Sequence, residues 1–142
     1  MIRIIAGGKK HQGWAQEAIR EYEKRMQKPY IYDWLFCDEA RLEEKILRLG
    51  PQDFVVLLDE NGKELSSPDF SHMLQTQVEA SRNVVFVIGG AFGHFSEPII
   101  SRANLILSLS KMVLPHQICR LVLAEQLYRA QEIALERPYH HA

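Results

Sequence analysis

The chain has 142 residues, of which 46% are hydrophobic, 25% charged and 9% aromatic, enough for one domain with a real core. Its formal net charge of −1 argues against gripping nucleic acid by bulk electrostatics, and no apolar run approaches the roughly 18 residues of a membrane span. Cys37 and Cys119 lie far apart without C-x-x-C spacing, so neither a disulfide framework nor a zinc site is indicated, and a reducing cytoplasm is the expected setting.

Ile2–Ala6 reads as a strand closed by Gly7-Gly8, too short an apolar stretch for a secretory signal. Trp14, Ala18, Ile19, Tyr22 and Met26 form a helical stripe, ended by Pro29. Tyr30–Phe36 is aromatic and β-branched enough for a second strand. Leu42, Ile46 and Leu49 predict a helix over Ala40–Leu49, stopped by Gly50-Pro51. Phe54–Leu58 is a continuous apolar run, as a strand buried on both faces requires, and Asp59–Gly62 reads as a turn. Ser67 is the expected N-cap of a helix with Pro68 in its first turn, running to about Ala80. Val84–Ile88 predicts another buried strand, then a short helix begins near Ser96, a strand spans Asn104–Ser108, and a long helix covers Leu114–Leu135. This alternation predicts a single α/β domain over residues 1–142 with a mostly parallel sheet and ligands at the strand C-terminal ends.

Charge is unevenly spread. Residues 51–99 hold two basic and seven acidic side chains, whereas residues 1–50 hold ten and eight, and residues 100–142 hold five and three. A nucleic-acid face would therefore be built from the two ends.

Three segments carry candidate chemistry. Val84–Gly93 is a strand entering a glycine-rich turn, which either serves only as a tight connection or lets the backbone approach a ligand. Its G-G-x-x-G spacing is not the dinucleotide fingerprint, Leu109–Val113 lie where that fingerprint needs an acid, and no Gly-Lys-Ser/Thr follows; NAD and ATP are disfavoured. After Leu105–Ser108 the loop stays apolar through Leu109, Met112, Val113 and Leu114, so it must be covered, either by packing or by an adenine ring. The long helix has two apolar stripes, one with Leu114, Ile118, Leu121, Val122 and Tyr128, the other with Cys119, Leu123, Leu127, Ala130 and Ala134. Two stripes suit a central helix or a subunit interface, and a homodimer is the favoured reading. His11, His72 and His94 are isolated, and no H-x-x-x-H spacing suggests a metal.

Ile88-Gly89-Gly90-x-x-Gly93, Leu107-Ser108-Leu109-Ser110-Lys111-Met112-x-Leu114-Pro115-His116-Gln117, Leu123–Ala130 and Pro138-Tyr139-His140, in this order, closely resemble the RlmH family. These are small SPOUT-class methyltransferases acting on large-subunit ribosomal RNA. Gly7–Lys10 and Leu57-Leu58-Asp59 with Gly62-Lys63 match too, so the resemblance spans essentially the whole chain. It implies a SPOUT-type α/β fold with a C-terminal trefoil knot, and a homodimer binding S-adenosyl-L-methionine (SAM) in the knot near the interface. The positions matching the family's cofactor contacts are Leu58, Gly89, Leu109, Ser110, Lys111, Met112, Val113 and Leu114. The family target is N3 of a pseudouridine, number 1915 of 23S rRNA, methylated on the assembled ribosome. The resemblance offers Tyr139 and His140, on a tail reaching a partner's cofactor, as catalytic candidates, and His116, Arg120 and Arg129 as holders of phosphate or base. Membrane and metal have no part in it.

Two departures stand out. The family commonly ends Tyr-His-Arg and an acid, whereas this chain reads Tyr139-His140-His141-Ala142, exchanging a permanent charge for a group mostly neutral near pH 7. The glycine turn reads Gly-Gly-Ala-Phe-Gly in place of Gly-Gly-Pro-Glu-Gly. The rival expectations are a SPOUT RNA methyltransferase with another target base, and a non-catalytic dimeric binding module that has kept the fold.

Overall fold

The computed structural model describes residues 1–89 and 94–139. Five strands, β1 (Ile2–Gly7), β2 (Tyr32–Cys37), β3 (Asp53–Glu64), β4 (Asn83–Ile88) and β5 (Leu105–Ser108), form one parallel sheet in the order β2-β1-β4-β3-β5. The helices are α1 (Gly13–Glu23), α2 (Glu39–Leu47), α3 (Ser67–Glu79), α4 (Glu97–Arg102) and α5 (His116–Ala134). This is the expected α/β architecture.

The strands are apolar throughout because both faces of the sheet are covered. Ile2, Ile4, Ala6, Val56, Val84 and Phe86 point to one side, where Ala15 and Ile19 of α1, Phe70 and Leu74 of α3, and Leu123 and Leu127 of α5 close a core. The alternate residues Ile5, Val55, Leu57, Val85 and Val87 meet Leu42 and Ile46 of α2 and Ile99 of α4.

Several boundaries differ from the sequence reading. β3 does not stop at Leu58: Leu58 and Lys63 both oppose Leu107 of β5, so residues 59–62 are a bulge inside one strand. Asp59 Oδ1 accepts from Asn61 N (2.8 Å) within it. Gly62 is required there, since a Cβ would lie 2.6 Å from the Ile106 carbonyl oxygen. Ser66, not Ser67, caps α3, accepting from Asp69 N (3.1 Å), while the Ser67 hydroxyl donates to Gln126 Oε1 (2.7 Å). α1 ends at Glu23, and Met26 still packs on the core through a tighter turn in which Met26 N donates to Glu23 O (3.1 Å). α5 starts at His116, leaving Leu114 in the preceding loop.

α5 spends its second stripe on the core, with Leu123, Leu127 and Ala130 buried, whereas Ile118, Leu121 and Val122 remain half-buried. Among the described residues no helix is long and apolar enough to cross a membrane.

Candidate cofactor and substrate site

In a parallel α/β sheet the loops after the strands gather at one edge, and ligands bind there. Leu58, at 8% exposure, ends the first half of β3. Leu109, Ser110, Met112 and Leu114 follow β5, and with Leu58, Asp59, Glu60 and Cys119 they enclose a shallow cleft of about 60 Å³. A larger cavity of about 360 Å³, lined by Met1, Arg3, Asp53 and Asn83 among others, lies at the strand N-terminal ends, where this fold does not place ligands. The small cleft is the better candidate despite its size.

Five sequence-expected cofactor positions thus share one wall. Lys111 and Val113 do not line it: Lys111 is exposed and ion-paired with Glu64 (3.3 Å), and Val113 is 77% exposed. Met112, which does line the cleft, is itself 79% exposed, so the wall is open on that side. The donor set suits SAM. Leu58, Leu109 and Leu114 supply an apolar slot for a purine, the amide of Leu114 has no hydrogen-bond partner among the described residues, and Asp59 and Glu60 at the rim suit a cationic ligand. Ser108 adds a buried hydroxyl without a partner among the described residues at the start of the same loop.

Gly89 enters through α5. His116 Nε2 lies 2.9 Å from the Gly89 carbonyl oxygen, so that nitrogen carries the proton and donates. Burial first, and the nearby Arg120 guanidinium second, hold the His116 pKa below its ordinary value. Gly90–Gly93, the rest of the glycine turn, lie outside the described residues.

Arg120 is not on the surface. It is 1% exposed, and its Nη1 donates to Lys9 O (2.9 Å) and Nη2 to Gly7 O (3.3 Å), with the guanidinium 5.2 Å from the Phe36 ring. His11 packs edge-on against Trp34 and Phe36 beside it, and burial, followed by Arg120, pushes its pKa down to about 4. The resemblance offered Arg120 as a holder of phosphate or base; the inward turn of β1–α1 over α5 instead buries it.

Arg129 and Tyr139 form a separate group. Arg129 pairs with Glu125 (2.6 Å) and lies 4.9 Å over the Tyr139 ring; Tyr139 meets Tyr128 edge-on at 4.8 Å, and its hydroxyl donates to Glu125 Oε1 (3.3 Å). Burial, then Glu125, pushes the Tyr139 pKa up to about 12. Glu136 at φ 56° turns the chain back, with Arg137 N on Glu132 O (2.8 Å) and Glu136 N on Ile133 O (3.1 Å), and this Schellman closure delivers the tail to α5. His140 lies outside the described residues. Arg129 is ten residues along α5 from Cys119, the helix residue that lines the cleft, a rise of roughly 15 Å at 1.5 Å per residue. Gln131, fully buried, was not singled out from sequence, and nothing in the helix spacing marks it. Among the described residues no group of His, Cys, Asp or Glu could hold a metal.

The family model described as "Predicted SPOUT methyltransferase" matches residues 1–140, and the chain belongs to this family of methyltransferases. It is 41% identical to the Ribosomal RNA large subunit methyltransferase H of Parabacteroides distasonis, over 99% of this chain and 98% of that protein. It is 37% identical to the proteins of the same name from Anaeromyxobacter sp. and Desulfitobacterium hafniense, in each case over 98% of both chains.

Proposed function

We propose that this protein is a homodimeric, SAM-dependent methyltransferase that acts on 23S rRNA in the assembled ribosome, at N3 of the pseudouridine the sequence resemblance implies, with its C-terminal part threaded as a trefoil knot. The observation that carries this reading is the convergence of Leu58, Leu109, Ser110, Met112 and Leu114 on one cleft, with Gly89 fastened to the same loop region by His116. The names of the relatives supply the substrate class. A cytoplasmic setting follows from that substrate.

SAM brings an activated methyl group, so the protein's task is to hold donor and base in line and to deal with the N3 proton. Leu58 and the loop 109–114 would hold the nucleoside part, and Asp59 and Glu60 the cationic end. Tyr139 keeps its proton at neutral pH and donates to Glu125, which fits a residue that positions the target base rather than one that deprotonates it. His140 is then the group left to assist loss of the N3 proton, and Arg129, held by Glu125 and the Tyr139 ring, would meet RNA together with the tail. The roughly 15 Å along α5 between Cys119 at the cleft and Arg129 in the tail group supports a dimer in which each tail serves the partner's cofactor. The exposed Met112 and Val113 and the half-buried Ile118, Leu121 and Val122 offer apolar surface for that contact.

The test is methylation of ribosomes and of naked rRNA with methyl-labelled SAM, followed by mass spectrometric mapping. The expected result is one N3-methylated pseudouridine on ribosomes, weak activity on naked rRNA, and loss of transfer at retained SAM binding in a variant lacking residues 138–142. Label on another base would leave a SPOUT methyltransferase with a different target. SAM binding without transfer to any RNA would leave a binding module, and wild-type rates in the truncated variant would overturn the role of the tail.

A further inference from the structure

The segment joining β1 to α1 is fastened to the start of α5 at point after point. Gly7 O and Lys9 O accept from Arg120, His11 Nδ1 stands 3.4 Å from Arg120 Nη1, and Gln12 N donates to Gln117 Oε1 (2.9 Å). Gly8, at φ 105°, lies directly on this base: a Cβ there would sit 3.8 Å from Arg120 Nη2 and 3.9 Å from His116 Cε1. Arg120 has no carboxylate within 4 Å among the described residues, and its buried Nε has no partner. An unpaired buried guanidinium is costly, and an apolar side chain of similar volume would fill the space at lower cost. A charge kept there makes sense where the shape of the loop matters.

What the loop presents outward is Lys9 and Lys10, both exposed. Neither has a carboxylate within 4 Å among the described residues. The base they stand on adjoins the cofactor cleft, because Cys119 lines that cleft and His116 holds Gly89. Two uncompensated ammonium groups on a pre-fastened loop are suited to phosphate, since little loop entropy is lost on binding. In a chain of net charge −1 such local attraction has to replace a broad basic surface.

Resting on the rRNA-methylating reading above, we propose that Lys9 and Lys10 grip the phosphates of the RNA strand entering the cofactor cleft, and that Arg120 is the positioning residue that holds their loop in shape. Arg120 acts through the lysines and does not itself touch RNA.

The test compares wild type, a K9A/K10A double variant, a K9R/K10R double variant and R120M in ribosome methylation and in SAM titration. K9A/K10A is expected to raise KM for ribosomes about tenfold and to lower the slope of log affinity against log salt by about 1 to 2, as the loss of two phosphate contacts requires. kcat at saturating ribosomes and SAM affinity should stay within about twofold, since each lost contact is to substrate alone. K9R/K10R should restore wild-type KM, and R120M should reproduce the KM increase with both lysines intact. If R120M does not fold, R120K replaces it, with a smaller KM increase expected because the ammonium lacks the guanidinium fork. Wild-type KM and salt slope in K9A/K10A would overturn the grip, and wild-type KM in the Arg120 variant that folds would overturn its positioning role. Wild-type protein that methylates no rRNA would remove the functional reading and this inference together, whereas an active wild type with an indifferent lysine variant would remove only the inference.

Discussion

Gly62 offers a sharp perturbation, because what surrounds it is backbone. A Cβ at this position would meet Ile106 O at 2.6 Å, Ile106 C at 2.7 Å and Leu107 C at 2.9 Å, where ordinary contacts begin at 3.4 Å. In G62A the bulge of β3 and the strand β5 must therefore part locally by about 0.8 Å, the difference between 3.4 and 2.6. Overpacking of this kind costs about 1–3 kcal/mol, offset by about 0.4–1 kcal/mol because alanine restricts the unfolded chain. A net loss of about 1–2 kcal/mol is expected in urea unfolding at unchanged m value. The displacement passes into Leu107 and Leu109, where the cofactor loop begins, so SAM affinity measured by calorimetry should fall about tenfold, the equivalent of 1.4 kcal/mol. G13A is the internal control: nothing lies within 4 Å of its Cβ, so that variant should be as stable as wild type or more so, by up to about 1 kcal/mol. A G62A protein within about 0.5 kcal/mol of wild type and with unchanged SAM affinity would refute the assignment of Gly62 to a backbone approach that shapes the site.

Two further outcomes are expected from the buried polar groups. The His11 pKa is lowered to about 4 in the folded chain against an ordinary 6.5, so the unfolded chain binds the extra proton between those values. Stability is then fully present above about pH 6.5 and declines as pH falls towards 4; after discounting for the half-exposed ring, wild type should lose about 1–2 kcal/mol more than H11Q between pH 7 and 4.5 in urea titrations. An equal loss in both would contradict the burial of a neutral imidazole. Gln131, fully buried, accepts from Gln27 N (2.7 Å) and donates to Arg25 O (3.1 Å), so Q131A leaves two main-chain groups unpaired and should cost about 2–4 kcal/mol in the same assay.

Helical and strand periodicity already located all ten elements, because each buries an apolar face whose spacing is local information. The continuous runs at Phe54–Leu58 and Val84–Ile88 specified strands covered on both sides, and a reason for them appears in the two cores they divide. The apolar loop after Ser108 pointed to the candidate cleft, since a loop that stays apolar needs a partner.

Pairing and burial across long separations are not written in local spacing, and there the tertiary structure decided. Asp59–Gly62 has turn chemistry, yet it is a bulge because β5 is short and resumes pairing with Lys63 and Glu64. Arg120 and Gln131 occupy positions a helix could equally show to solvent; they are buried because the β1–α1 loop and the segment after α1 fold down on α5. The placement of Tyr139 on α5 depends on the length of that helix and on the left-handed turn at Glu136. Sequence alone determined which residues are candidates for chemistry, since composition and motif are properties of the chain; only the fold decided which of them meet, because that depends on contacts between residues a hundred positions apart.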